Sequence, residues 1–181
     1  TRMQDEVITG IANLIESRDG STGLHVKNTQ NYVQILTKAL REKGMYPDIL
    51  DHNYELNTVK ASVLHDIGKI KTPDAILLKP GRLTDEEFEV MKQHTVAGCE
   101  IIDRIIGNVE HEEYVDIARK IARYHHERWD GTGYPDGLSG EEIPLCARIM
   151  ALADVFDALY QDRCYKKAIR PASKVFEIIK E

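Results

Sequence analysis

"YHHERWDGTGYPDGL", residues 124–138, sets two adjacent histidines against a tryptophan, three glycines and a proline. Ahead of it, Ile117, Ala118 and Ile121 fall on one helical stripe, and His125 extends that stripe. The glycines and Pro135 then forbid a continuing helix. A helix must end where the two imidazoles stand, and a tight loop must follow at once.

Outward from this loop the periodicity is helical almost throughout. Upstream, "MQDEVITGIANLIESRD" places Val7, Ile11, Leu14 and Ile15 on one stripe. "GLHVKNTQNYVQILTKALREKG" does the same with Val26, Tyr32, Val33, Leu36 and Leu40, and stops at Gly44. A third helix is expected over about 53–66, and "KTPDAILLKPGRL" reads as an ordered loop with one helical turn. Thr84 followed by Glu87 is a capping box, opening a helix that closes at Gly107. A further helix is expected over about 112–126, then a Gly/Pro-rich loop over 127–146 with room for a small β-turn. "CARIMALADVFDALYQD" is strongly helical, and Pro171 is expected to start the last helix. No segment alternates with period two. The expected fold is all-α, a helical bundle with one long loop, in a single domain over 1–181.

The chain of 181 residues is long enough to bury about 70% of its unfolded surface. A net charge of −6 argues against polymeric nucleic acid or anionic membrane as a partner. Cys99, Cys146 and Cys164 are odd in number and form no CxxC, which fits reduced thiols in the cytoplasm. No apolar run reaches the ~18 residues of a membrane span, and no signal peptide is visible. The chain opens on Thr1 and stops at Glu181 inside helical patterns, as a domain cut from a longer protein would.

Metal-binding residue types interrupt the apolar stripes. Asp66 shares a face with Val59 and Val63, His94 with Met91 and Ile101, and Asp154 with Asp157. A single inward histidine is more often a hydrogen-bonded core residue, and His125 with His126 could serve a helix C-terminus. Buried carboxylates without partners are costly, however. Inward histidines and aspartates on four separate helices call for a cation that binds them together.

"HDIGK" at 65–69, "HHERWDGTGYP" at 125–135 and "ALADVFDAL" at 151–159 resemble the HD-GYP family, a branch of the HD phosphohydrolases. "TPDAILLKPGRLTDEEFEVMKQHT" at 72–95 and "DRCYKKA" at 162–168 extend the resemblance over nearly the whole chain. It implies an HD-type bundle that hydrolyses cyclic di-GMP to pGpG or GMP. It implies two divalent metals, Fe or Mn before Zn, Ni or Mg, held by His25, His65, Asp66, His94, His125, His126 and Asp154. Asp66 would bridge the metals, with Lys69 beside it against a phosphate. Gly133, Tyr134 and Pro135 would form the signature loop, and Arg163 with Lys166 would clamp phosphates. The implied setting is cytoplasmic, or the cytoplasmic part of a membrane-bound sensor. The chain would sit behind a receiver or sensory domain, with diguanylate cyclase (GGDEF) domains as partners and homodimerisation through the first helix.

Two positions depart from the family. Ser21 stands where trinuclear members have glutamate, and Cys164 replaces a proline. A neutral hydroxyl is a poor ligand for a hard third cation, so Asp157 lacks a partner and a dinuclear centre is expected. Two rivals share these residues: an HD phosphohydrolase for another nucleotide, and a non-catalytic module that binds a cyclic dinucleotide or a diguanylate cyclase.

Overall fold

The computed structural model describes residues 2–19, 24–107, 112–161 and 168–180. Among them run α1 (Arg2–Glu16), α2 (His25–Glu42), α3 (His52–Ala61), α4 (Asp74–Leu77), α5 (Asp85–Ile106), α6 (Glu112–Tyr124), α7 (Leu145–Tyr160) and α8 (Ala172–Lys180). Short 3-10 turns occupy Ser17–Asp19, Ser62–Leu64, Ile67–Lys71 and Gly140–Glu142. The described residues contain no strand, only an isolated bridge between Asp130 and Ser139 in the long loop. The all-α expectation holds. No described helix is long and apolar enough to cross a membrane.

Helices α2, α3, α6 and α7 form a closed ring, each packing on two of the others. Val33, Ala61, Ala118, Ile121, Cys146 and Met150 fill its centre and are fully buried. Outside the ring, α5 covers α6 and the Ile67–Lys71 turn, α1 covers the two turns after α3, and α8 lies on α7. Thr84 and Glu87 make the reciprocal bonds of the expected capping box. Leu24 offers α2 no side-chain cap. Instead the buried Glu16 carboxylate, at the end of α1, accepts from Val26 N at 3.2 Å, where the helix dipole favours an anion.

Four expectations need correction. Ile15 is buried and Ile11 packs on the core, but Val7 and Leu14 are 56% and 70% exposed. Helix α1 meets the body along one side only, so its buried stripe is the narrower Ile8, Ile11, Ala12, Ile15 series. The third helix stops at Ala61 rather than running to 66. It tightens into the Ser62–Leu64 turn, where the Ser62 hydroxyl donates to Val59 O and competes with the helical ladder. Helix α6 ends at Tyr124, which leaves His125 and His126 in the turn beyond it. Pro171 precedes α8 instead of opening it.

Close backbone approach decides where the Ile67–Lys71 turn lies. A Cβ on Gly68 would overlap the His94 carbonyl and sit 2.6 Å from Gly98 N. Only glycine lets this turn lie against α5. Arg18 ties the same turn to the end of α1: its guanidinium donates to the carbonyls of Lys69, Ile70 and Thr72 and pairs with Asp74 at 2.6 Å. Gly68→Ala is therefore expected to cost about 3 kcal/mol of stability by forcing the turn off α5. Urea denaturation reads this, and a loss below about 0.5 kcal/mol would show that the contact is not tight.

Candidate metal centre

The fold collects the seven expected donors from five chain segments into two adjoining groups. Asp66 and His65 come from the turn after α3, His94 from α5, and His125 and His126 from just past α6. His25 is the first residue of α2, and Asp154 lies in α7. Donor atoms of Asp66, His94, His125 and His126 all lie within 4.8 Å of one another, as do those of His25, His65 and Asp154. Asp66 joins the groups. Its Oδ1 is 3.4 Å from His94 Nε2 and 3.6 Å from His125 Nε2, while Oδ2 is 3.3 Å from His65 Nε2.

Hydrogen bonds fix which face of each imidazole looks inward. Nδ1 of His65 lies 2.8 Å from Ser62 O, that of His94 2.7 Å from Met91 O, and that of His125 2.9 Å from Ile121 O. A carbonyl only accepts, so each Nδ1 carries the proton and donates. In the neutral ring each Nε2 is then left with a lone pair. His65 Nε2, His94 Nε2, His125 Nε2 and Asp66 Oδ1 are buried with no hydrogen-bond partner among the described residues. Acceptors facing acceptors out of water cost about 1–3 kcal/mol apiece. Divalent cations at the two groups would remove that cost, and imidazoles held through the opposite nitrogen are the usual support of metal ligands.

The local electrostatics favour the same ligand state. Burial, reinforced by His125, lowers the His94 pKa to about 4. Burial, with His125 and His94 nearby, holds His126 well below the usual imidazole value. Burial would raise Asp66, but Lys69 and His65 hold it well below the carboxylate range. Near neutral pH Asp66 is thus an ionised carboxylate beside the neutral imidazoles of His94 and His126. His65 differs: burial opposes its charging, yet Asp66 and Asp154 raise it to about 9. Positive charge is drawn to the point between those carboxylates.

His25 is aligned by a neighbour. Its Nδ1 lies 2.7 Å from Asp157 Oδ2, and its Nε2 lies 3.4 Å from Asp154 Oδ1. Asp157 is buried and spends one oxygen on this imidazole. Lys69 Nζ stands 2.7 Å from Asp66 Oδ2, at the edge of the shared carboxylate.

The signature loop folds back over His126. A Cβ on Gly133 would overlap Arg128 N and meet the Glu127 backbone, so glycine alone fits. Tyr134 N donates to His126 O, and the two rings stack with centroids 4.8 Å apart. Burial, then the Asp66 charge, push the Tyr134 phenol above its ordinary pKa. Pro135 is half-buried in the same turn and contributes to neither donor group. Glu127 was not anticipated. It is buried, its Oε1 accepts from Asp136 N at 2.7 Å and Gly137 N at 3.1 Å, and its Oε2 accepts from Leu138 N at 3.0 Å. Arg123 clamps Asp136 from the other side. A carboxylate ahead of a glycine-rich turn was the available signal, because such turns present unpaired N–H groups. Ser21, Arg163, Cys164 and Lys166 lie outside the described residues.

The HD domain family matches residues 11–181. The chain belongs to this family, and its HDIGK and HHERWDGTGYP motifs set it in the HD-GYP branch. It is 48% identical over 168 residues to a cyclic di-GMP phosphodiesterase of Vibrio cholerae, covering 91% of this chain and 34% of that protein. It is 42% identical over 164 residues to the cyclic di-GMP phosphodiesterase response regulator RpfG of Xanthomonas campestris, covering 90% and 40%. It is 39% identical over 161 residues to the 3'3'-cGAMP-specific phosphodiesterase 2 of Vibrio cholerae, covering 89% and 28%. The chain thus spans well under half the length of these relatives.

Glu127→Gln tests the loop anchor. The amide loses the charge and sets an NH2 against one of the three backbone N–H groups. The expected loss is about 2 kcal/mol, measured by urea denaturation. Unchanged stability would show that the turn holds without this carboxylate.

Proposed function

We propose that the chain is a metal-dependent phosphodiesterase that hydrolyses cyclic di-GMP. The observation that carries this reading is the set of buried, unpartnered atoms, three Nε2 and one Oδ1, converging across Asp66. Relatives named as cyclic di-GMP phosphodiesterases support the substrate.

In this reading Asp66, His94, His125 and His126 hold one divalent ion, and His25, His65 and Asp154 hold a second, with Asp66 shared. Nitrogen and oxygen donors without thiolate suit Fe or Mn, and also Zn or Ni. Such a pair supplies an acidified water and offsets phosphoryl charge. Lys69 places a fixed ammonium beside the shared carboxylate, where a phosphoryl oxygen gains negative charge. His94, His125 and His65 keep their lone pairs inward because backbone carbonyls hold their Nδ1 protons. Tyr134 covers His126 and limits water on that side. Arg163 and Lys166 join as phosphate contacts through the family resemblance. Asp157 already engages His25, and Ser21 brings no carboxylate, which supports two metals rather than three. Two metals favour pGpG as the final product.

The relatives named for 3'3'-cGAMP support a second substrate reading on the same site. A receiver or sensory domain upstream, GGDEF partners and a cytoplasmic setting belong to the proposal through the resemblance. Homodimerisation has further support in the exposed Val7 and Leu14 of α1.

Anaerobically prepared protein is expected to hydrolyse cyclic di-GMP faster than 3'3'-cGAMP. Asp66→Ala should lose metal by elemental analysis and lower kcat by about 10³-fold or more. Lys69→Met should keep its metal and lower kcat by about 10²-fold. A metal-replete wild type that turns over neither dinucleotide would overturn the enzymatic reading in favour of a binding module. Faster 3'3'-cGAMP turnover would overturn the substrate assignment.

A further inference from the structure

A line of side chains leads from the histidine cluster to the surface, and its outer members have no part in the reading so far. Tyr134, stacked on His126, meets the Phe88 ring edge-on at 5.9 Å and 84°. Lys92, one turn along α5 from Phe88, lies 5.1 Å from the Phe88 ring centre and 5.8 Å from that of Tyr134. Glu89 holds the Lys92 ammonium at 2.5 Å. Helix α5 buries His94, Thr95, Ala97, Gly98, Ile102 and Ile106 toward the body, and Phe88 lies on the same face as Thr95 but two turns nearer the N-terminus, outside the buried core. The phenyl ring remains 43% exposed. The core does not use it, yet a cation and a tyrosine fix its position. Such a ring is a preformed stacking surface, and the cation beside it adds attraction for a π-system.

We propose that Phe88, backed by Lys92 and Tyr134, is a nucleobase ledge: it stacks the base of a nucleotide whose phosphate lies at the Asp66–His94–His125–His126 group. The ledge rests on the phosphodiester reading of that group and adds how the substrate's base is held. A base hangs one ribose away from its phosphate, and Phe88 stands one ring beyond the Tyr134–His126 stack. Stacking serves every base because every base has a π-face. The ledge therefore selects for a base-bearing phosphate and leaves the choice between guanine and adenine to other contacts.

Calorimetric titration of the Mn2+-loaded protein with GMP and with ribose 5-phosphate isolates the base, since both probes carry the same sugar and phosphate. The wild type is expected to bind GMP about tenfold or more tightly than ribose 5-phosphate. In Phe88→Ala the GMP affinity should fall to that of ribose 5-phosphate, which itself stays unchanged, and Phe88→Tyr should restore the preference. Phe88 is largely at the surface, so Phe88→Ala is expected to fold as the wild type does. The ledge is overturned if Phe88→Ala keeps the preference, if the wild type binds both probes alike, or if it binds neither. Neither probe is a phosphodiester. A failure to hydrolyse cyclic dinucleotides would thus sink the enzymatic reading while leaving this comparison intact.

Discussion

Three imidazoles give their Nδ1 protons to backbone carbonyls three or four residues earlier, and the rest of the site follows from that constraint. With those protons committed, the neutral rings of His65, His94 and His125 turn bare Nε2 atoms toward the Asp66 carboxylate. Among the described residues no donor answers four buried atoms: these three Nε2 and Asp66 Oδ1. In a packed interior such groups are rare and expensive. In the proposed reading the fold sustains the arrangement because divalent ions would convert each unfavourable contact into a ligand bond. Stability and chemistry would be linked in that reading, since an ion held for the chemistry would also relieve the core.

The close approach of backbones holds the donors at that spacing. Gly68 lets the turn carrying Asp66 and Lys69 lie directly on the α5 backbone at His94. Gly133 lets the signature loop lie on Glu127 and Arg128, which sets Tyr134 over His126. The end of α1 reaches both donor groups. Glu16 accepts from the first turn of α2 next to His25, and Arg18 grips the carbonyls that follow Asp66 and Lys69. A shift of α1 would therefore be felt on both sides of the shared carboxylate.

Much of this was legible in the sequence, for reasons that differ by element. The bundle helices carry strong apolar stripes, and Thr84 with Glu87 announces a helix start by chemistry that acts locally. His94 and His125 betrayed themselves by falling on those stripes. The pitch of the chain around His65 and Asp66 was not legible. It depends on Ser62 competing for a helical carbonyl and on Gly68 meeting α5, which are tertiary facts. Val7 and Leu14 misled because a helix that packs on one side buries a narrower stripe than its amphipathic pattern offers. Glu127 was missed because its partners are backbone N–H groups, whose one trace in the sequence is the glycine-rich turn that follows it. Phe88 reads as one more apolar residue of a helix, and only its contacts with Lys92 and Tyr134 mark it out.

Long-range ¹H–¹⁵N correlation of the imidazole nitrogens in Zn2+-loaded protein tests the central claim most directly, because zinc is diamagnetic and accepts nitrogen and oxygen ligands. His65, His94 and His125 should each show a protonated Nδ1 and an unprotonated Nε2 whose signal moves when zinc binds. Protonated Nε2 atoms on these residues, or signals indifferent to zinc, would contradict the account.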